Sequence, residues 1–215
     1  MTSKFLCVSV VAGLALLASP VHAQMRSSET TRVTVGPYVG VNYTTVGGSD
    51  ATNPGYRAGL AAGLQLDAAF DGGVFLRTGV LYSMRGAKDT ESGVDITLKE
   101  NFIEVPVLLG YTFAPAGSSV RPFVLAGGLA DFKISCDLEG ATGGTTTSVK
   151  CDDTGNFAGT DFAVVGGAGV MFPAASGNVS LDARYAYGLQ NIAKDSNVKH
   201  RGFTVGIAYM IPFGH

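Results

Sequence analysis

Tyr56-Arg57-Ala58-Gly59-Leu60-Ala61-Ala62-Gly63-Leu64-Gln65-Leu66-Asp67-Ala68-Ala69-Phe70 sets an apolar side chain at every second place. Tyr56, Ala58, Leu60, Ala62, Leu64, Leu66, Ala68 and Phe70 share one face; Arg57, Gly59, Gln65 and Asp67 mark the other. A period of two is the signature of a β-strand. Its length exceeds the roughly 3–10 residues usual in soluble sheets. About eight such segments recur along the chain, the pattern of a membrane-spanning β-barrel.

The other segments follow the same rule. Val33, Val35, Val39, Val41 and Tyr43 form one row; Val74, Leu76, Thr78, Val80, Tyr82 and Met84 another. Ile103, Val105, Val107, Leu109, Tyr111 and Phe113 face away from Glu104 and Pro106. The fifth, from Arg121 to about Ile134, changes phase near Gly127-Gly128, which predicts a bulge there. Phe162 to Phe172, Val179 to Leu189 and Phe203 to Phe213 complete the set. The fold expected is all-β, an eight-stranded antiparallel up-and-down transmembrane barrel behind a helical signal peptide.

The links alternate in length. Residues 44–55, 86–97, 137–158 and 193–199 are long or moderate; 71–73, 114–119 and 173–178 are short. Tight turns at one end and long loops at the other are what a periplasm and a cell exterior impose. With an even strand number, both termini are expected on the short-turn side.

The N-terminus carries Lys4, an apolar run from Phe5 to Ala18, Pro20 and the small-residue site Val21-His22-Ala23. That is a secretory signal peptide, cut before Gln24. The expected organisation is 1–23 signal peptide, 24–31 a short segment and 32–215 the barrel. Cleavage leaves 14 basic and 17 acidic residues, a net charge of −3. Without a basic patch, nucleic acid is not an expected partner. Hydrophobic residues make up 46% of the chain and charged ones 15%, yet no later run is long enough for a spanning helix. An exported chain of that kind can still enter a membrane as a closed barrel.

Cys136 and Cys151 are the only cysteines after cleavage, and in an exported protein the pair reads as a disulfide across a surface loop. Closing a loop of that size restricts the unfolded chain by about 3 kcal/mol in the entropic account.

Alternation alone does not separate a membrane barrel from a soluble one; the polar face does. It carries mostly Gly, Ala, Ser and Thr with isolated charges, as a narrow lumen requires. Arg77, Arg85 and Arg184 face inward by phase, as do Asp67, Glu104, Asp161 and Asp182. Unpaired buried charge is costly, so these are expected to form a lumen ion network that plugs the barrel. Aromatic residues mark two girdles: Tyr43, Tyr56, Tyr82, Phe132, Phe162, Tyr187 and Phe203 toward the long links, and Phe70, Phe113, Phe123, Phe172 and Phe213 toward the short turns.

Four blocks resemble the PorT-like outer-membrane β-barrel family: NFIEVPVLLGYTF at 101–113, VRPFVLAGG at 120–128, DFAVVGGAGV at 161–170, and ARYAYGLQNI at 183–192 followed by Arg201-Gly202-Phe203. The resemblance covers nearly the whole processed chain. It implies a bacterial outer-membrane location and a shape similar to small OmpX- and OmpA-type barrels, without an assigned activity. The last strand, with Thr204, Gly206, Tyr209, Ile211 and Phe213, is similar to the signal read by the barrel-assembly machinery, although Gly214 and His215 follow it.

The function expected is a non-enzymatic outer-membrane barrel with a structural or surface-loop role in adhesion or the envelope. Its partners would be outer-membrane lipid, the assembly machinery, and an extracellular protein or surface ligand reached through the long loops. Residues 137–158, with Thr145-Thr146-Thr147-Ser148 and acidic Asp137, Glu139, Asp152 and Asp153, are the leading loop candidate. Those acids lack the spacing of a calcium loop, so no metal site is expected, and no motif points to a cofactor. A small porin or a secretion-associated subunit is the alternative. A membrane hydrolase is a third: His200, near Asp195 and Ser196, is the one candidate base, and otherwise reads as a solvated rim histidine.

Overall fold

A computed structural model of the chain describes residues 31–51, 54–91, 94–114, 117–143, 145–151, 159–192 and 197–213. The expected leader at 1–23 and the segment 24–30 lie outside the described residues. Nine antiparallel strands are described: β1 (Arg32–Gly47), β2 (Gly55–Ala69), β3 (Val74–Glu91), β4 (Val94–Thr112), β5 (Arg121–Thr142), β6 (Thr145–Lys150), β7 (Thr160–Ala174), β8 (Gly177–Gly188) and β9 (Lys199–Pro212). Eight of them close a ring in the order β1-β2-β3-β4-β5-β7-β8-β9, with β9 returning to β1. Closure matters because a strand edge in hydrocarbon would leave its N–H and C=O groups without partners. The sixth strand stands outside the ring and pairs with β5.

Register carries the alternation from strand to strand. Val41 lies between Leu60 and Val205, all on the outside. Leu64, Leu109 and Val205 are 59–61% exposed, as apolar side chains are when only lipid faces them. The upper girdle includes Tyr43 stacked on Tyr56 at 4.7 Å, with Tyr82, Phe132, Phe162, Tyr187 and Phe203 also turned outward. The lower one includes Phe70, Phe113 and Phe213. The tight link between β2 and β3 is a single 3-10 turn, Asp71–Gly73, where Gly72 takes a positive φ of 77°.

Three expectations about the strands need correction. Residues 86–97 are not a long loop: β3 and β4 stay paired from Arg85–Glu100 up to Glu91–Val94. Likewise 137–158 begins with the end of β5 and holds β6. Beyond the membrane the backbone ladder continues, while the lipid-facing row that marks a strand in sequence stops. The bulge lies at Ile134, where Asn101 pairs with Ser135 and Phe102 with Lys133; Gly127 and Gly128 keep regular register. Inward Phe123, Leu125 and Leu129 beside outward Val124 make both faces of β5 apolar, which hides the phase.

The third correction follows from that. The interior is not only small and polar: Phe75, Leu108, Phe123, Leu125, Leu129, Ala163 and Val165 form a buried apolar cluster. Phe123 is part of it and not of the lower girdle, being 1% exposed. Glycine makes the space. A Cβ on Gly110 would stand 2.1 Å from the Phe75 ring, and one on Gly206 would stand 2.2 Å from the Tyr38 hydroxyl.

Two outcomes test this arrangement. Val205→Arg, placing a charge against lipid halfway along β9, should lower stability in phospholipid vesicles by about 2–4 kcal/mol, read from urea unfolding. Gly110→Ala should cost about 1–3 kcal/mol through overpacking, and Phe75→Leu in the same chain should recover most of that loss.

Candidate functional site: the lumen and the outer mouth

The strand phase that sends one row of residues into lipid sends the alternate row, with most of the strand charges, into a narrow interior. Inward side chains come from all sides of the ring, so charges distant in sequence meet across it. Arg77 on β3 is fully buried between Asp67 on β2 and Asp182 on β8, each 2.8 Å away. Since β3 and β8 are four places apart in an eight-strand ring, that bond crosses the lumen. The Arg184 Nε donates to Asp182 at 2.8 Å, and its Nη2 donates to Gln65 at 2.9 Å. The Ser180 hydroxyl accepts from Arg77 at 3.3 Å.

Aromatic faces hold this layer in place. The Arg77 guanidinium lies 5.3 Å from the Phe75 ring centre and 4.9 Å from that of Phe123. Arg184 lies 4.9 Å from the Tyr38 ring. Cation–π contact is strongest where water is kept away, as here.

A second layer lies nearer the long loops. Arg85 donates to Asp131 at 2.6 Å and to Glu104, while Arg57 donates to the Arg85 carbonyl. Asn42 donates to Ser83 at 2.9 Å and accepts from the Thr204 hydroxyl at 2.8 Å. Thr204 and Gly206, named above for the assembly signal, thus both face the packed interior, whereas Ile211 and Phe213 are exposed on the outside. Tyr209 donates to the Ala174 carbonyl at 3.3 Å near the short-turn end.

At the top, His200 on β9 reaches Glu100 on β4 across the ring, Nε2 to Oε2 3.0 Å. The expectation of a solvated rim histidine is therefore wrong. His200 is 6% exposed and packs edge-on to Phe102. Asp195 and Ser196, the residues considered with it, lie outside the described residues. Its surroundings tie two opposite strands together. The cavity beside it, lined by Thr44, Arg85 and His200 among others, measures about 10 Å³, room for one water.

The inward charges named from sequence fall into these layers as follows. Asp67, Arg77, Asp182 and Arg184 make the lower one; Arg85 and Glu104 belong to the upper. Asp161 is buried near the mouth and joins none of the guanidinium bonds among the described residues. Asp131 and Glu100 were missed. Both sit on the inward phase of their strands, and Asp131 was obscured by the supposed phase change in β5.

Cys136 and Cys151 are joined as a disulfide with their Cα atoms 5.3 Å apart. It lies where β5 leaves the ring and β6 returns. Just past the paired ends of β1 and β9, the Asn197 N–H donates to the Asp50 carboxylate at 2.8 Å and the Ser49 hydroxyl donates at 3.0 Å. Those donors hold the Asp50 carboxyl below its ordinary range, so this clasp between two loops loosens only as pH falls through that lowered value.

Among solved structures, the chain is similar to Neisserial surface protein A at 14% identity, covering 85% of this chain and 99% of that one, with a TM-score of 0.47. It is similar to the N-terminal β-barrel domain of Pseudomonas aeruginosa OprF, at 14% identity over 86% and 100% with a TM-score of 0.42. A third is Ail, the attachment invasion locus protein of Yersinia pestis, in complex with the heparin analogue sucrose octasulfate: 16% identity, 86% and 100%, TM-score 0.37. No curated protein matches the chain. The family model described as "Outer membrane protein beta-barrel domain" matches residues 22–194, most of the sequence. The chain belongs to that outer-membrane β-barrel family, and its place is the bacterial outer membrane.

Proposed function

We propose that this barrel is a sealed, non-enzymatic scaffold that holds its outer loops and strand extensions at the cell surface for adhesion or envelope contacts. The observation that carries this reading is the filling of the interior. Two layers of guanidinium–carboxylate bonds and an apolar cluster occupy the ring. A ring of this size has room for side chains and hardly for a channel. The small-porin alternative needs an open path, and a secretion-associated subunit is the other reading.

The same proposal takes residues 1–23 as a cleaved signal peptide, with 24–31 a short lead into the barrel. It takes Thr204, Gly206, Tyr209, Ile211 and Phe213 as the set presented to the barrel-assembly machinery. Enzymatic action would require His200 to work on a substrate, whereas it is engaged with Glu100 and shielded by Phe102. Unchanged deacylation or proteolysis of test substrates in His200→Ala, relative to the parent chain, is the expected result.

The direct test of the sealed lumen is electrical. In planar bilayers the processed protein should give no sustained ionic current, whereas steady single-channel conductance would make it a porin. The ion layers have their own test. Arg77→Leu leaves Asp67 and Asp182 buried without their shared partner, and should cost about 3–5 kcal/mol in urea unfolding from vesicles. Arg184→Ala should lower heat stability in detergent as well, because Asp182 loses two of its hydrogen bonds.

A further inference from the structure

Past the upper girdle the ring gives way to a ribbon of β3, β4, β5 and β6. The last of these is bonded on one side only: among the described residues, nothing pairs with the far edge of β6. Its sequence, Thr145-Thr146-Thr147-Ser148-Val149-Lys150, is exposed throughout and lacks proline. Natural edge strands are guarded by proline, bulges or inward charges. This one has a single charge, at its end.

The direction of the free groups follows from the hairpin. Thr142 and Thr145 face each other across a two-residue turn with Gly143 at a φ of 57°. A pair closing such a turn exchanges both backbone hydrogen bonds, and the pairs beyond it alternate. The N–H and C=O groups of Thr146, Ser148 and Lys150 therefore point to the open side. The Cys136–Cys151 disulfide fixes the base of this strand next to Lys150, so the edge is held in shape before anything binds.

Register shows what a further strand would meet. Leu98, Leu138 and Val149 lie in one row. That row belongs to an apolar face turned toward the barrel mouth, where Ala87, Ile96 and Leu98 help wall a groove of about 230 Å³ opposite Val46, Pro54 and Val198. On the other face Lys99, Asp137 and Lys150 form a row of alternating sign, and Lys99 bonds Glu139 at 2.6 Å. The next place in the first row suits an apolar side chain, and in the second a carboxylate.

We infer that the free edge of β6 takes up an extended segment of another polypeptide as an added strand, with alternating apolar and acidic or hydroxyl side chains. A second copy of this chain does not fit. Two barrels in one membrane share their up–down orientation, so a two-fold axis along the membrane normal brings two β6 strands together parallel with their faces reversed. A symmetric strand pair instead needs an antiparallel approach. The inference rests on the outer extensions being the interacting part, as proposed above.

The test uses the full processed chain in lipid nanodiscs and a soluble peptide alternating valine with glutamate and threonine. Saturable binding by fluorescence anisotropy is expected, with slowed amide exchange at Thr146, Ser148 and Lys150. Ser148→Pro, which removes an edge donor, should weaken binding about tenfold. Lys150→Glu keeps the backbone intact and should weaken it several-fold, with a lysine-for-glutamate peptide restoring affinity. No binding, equal binding to both variants, protection on other strands, or a β6-mediated dimer would each overturn the edge site. Such a failure, with nanodisc folding and silent bilayers unchanged, leaves the sealed-scaffold reading standing; ionic current would remove that reading instead.

Discussion

A closed ring of eight strands leaves an interior as wide as two facing side chains, and that narrowness governs the rest of this protein. Lipid outside demands apolar residues on one phase of every strand and a full set of backbone bonds around the ring. The other phase must then fill a confined space without water to solvate it. Charges can enter only with partners, and large rings can enter only where glycine yields room. Arg77 between Asp67 and Asp182, with Phe75 and Phe123 on its faces, meets both conditions at once. Gly110 beneath Phe75 and Gly206 beneath Tyr38 are the complement.

The cross-lumen bonds also have a mechanical meaning. Arg77 to Asp182 and His200 to Glu100 each join strands on opposite sides of the ring, one low and one near the mouth. Neighbouring strands are already held by their ladders, so bonds across the diameter resist a different motion, the flattening of the ring. A scaffold whose outer ribbon is to keep one shape gains from such ties. The disulfide and the Asp50–Asn197 clasp instead tie neighbouring segments above the ring.

Much of this was legible in the sequence because lipid imposes a strict alternation. The rows through Leu60, Leu64 and Val205 and the inward phase of Arg77, Arg85 and Arg184 all follow from period two. The pattern falls silent where that rule stops. On β5 the lumen itself is apolar at Phe123, Leu125 and Leu129, so both phases look lipid-facing and a false bulge resulted. Above the membrane β3, β4 and β5 continue, and β6 is added, without a lipid row to announce them. His200 looked like a surface residue because its partner Glu100 lies 100 positions away in sequence and meets it only when the ring closes.

Everything in this fold depends on which phase of each strand faces lipid. The chain has no tryptophan, so single reporters can be placed at will. Val41→Trp and Tyr38→Trp sit on the same strand with opposite orientations. In vesicles containing lipid brominated along its chains, fluorescence from the first should be strongly quenched and from the second nearly unaffected. Strong quenching of Tyr38→Trp with Val41→Trp spared would contradict the account, since the oily rows would then be turned inward.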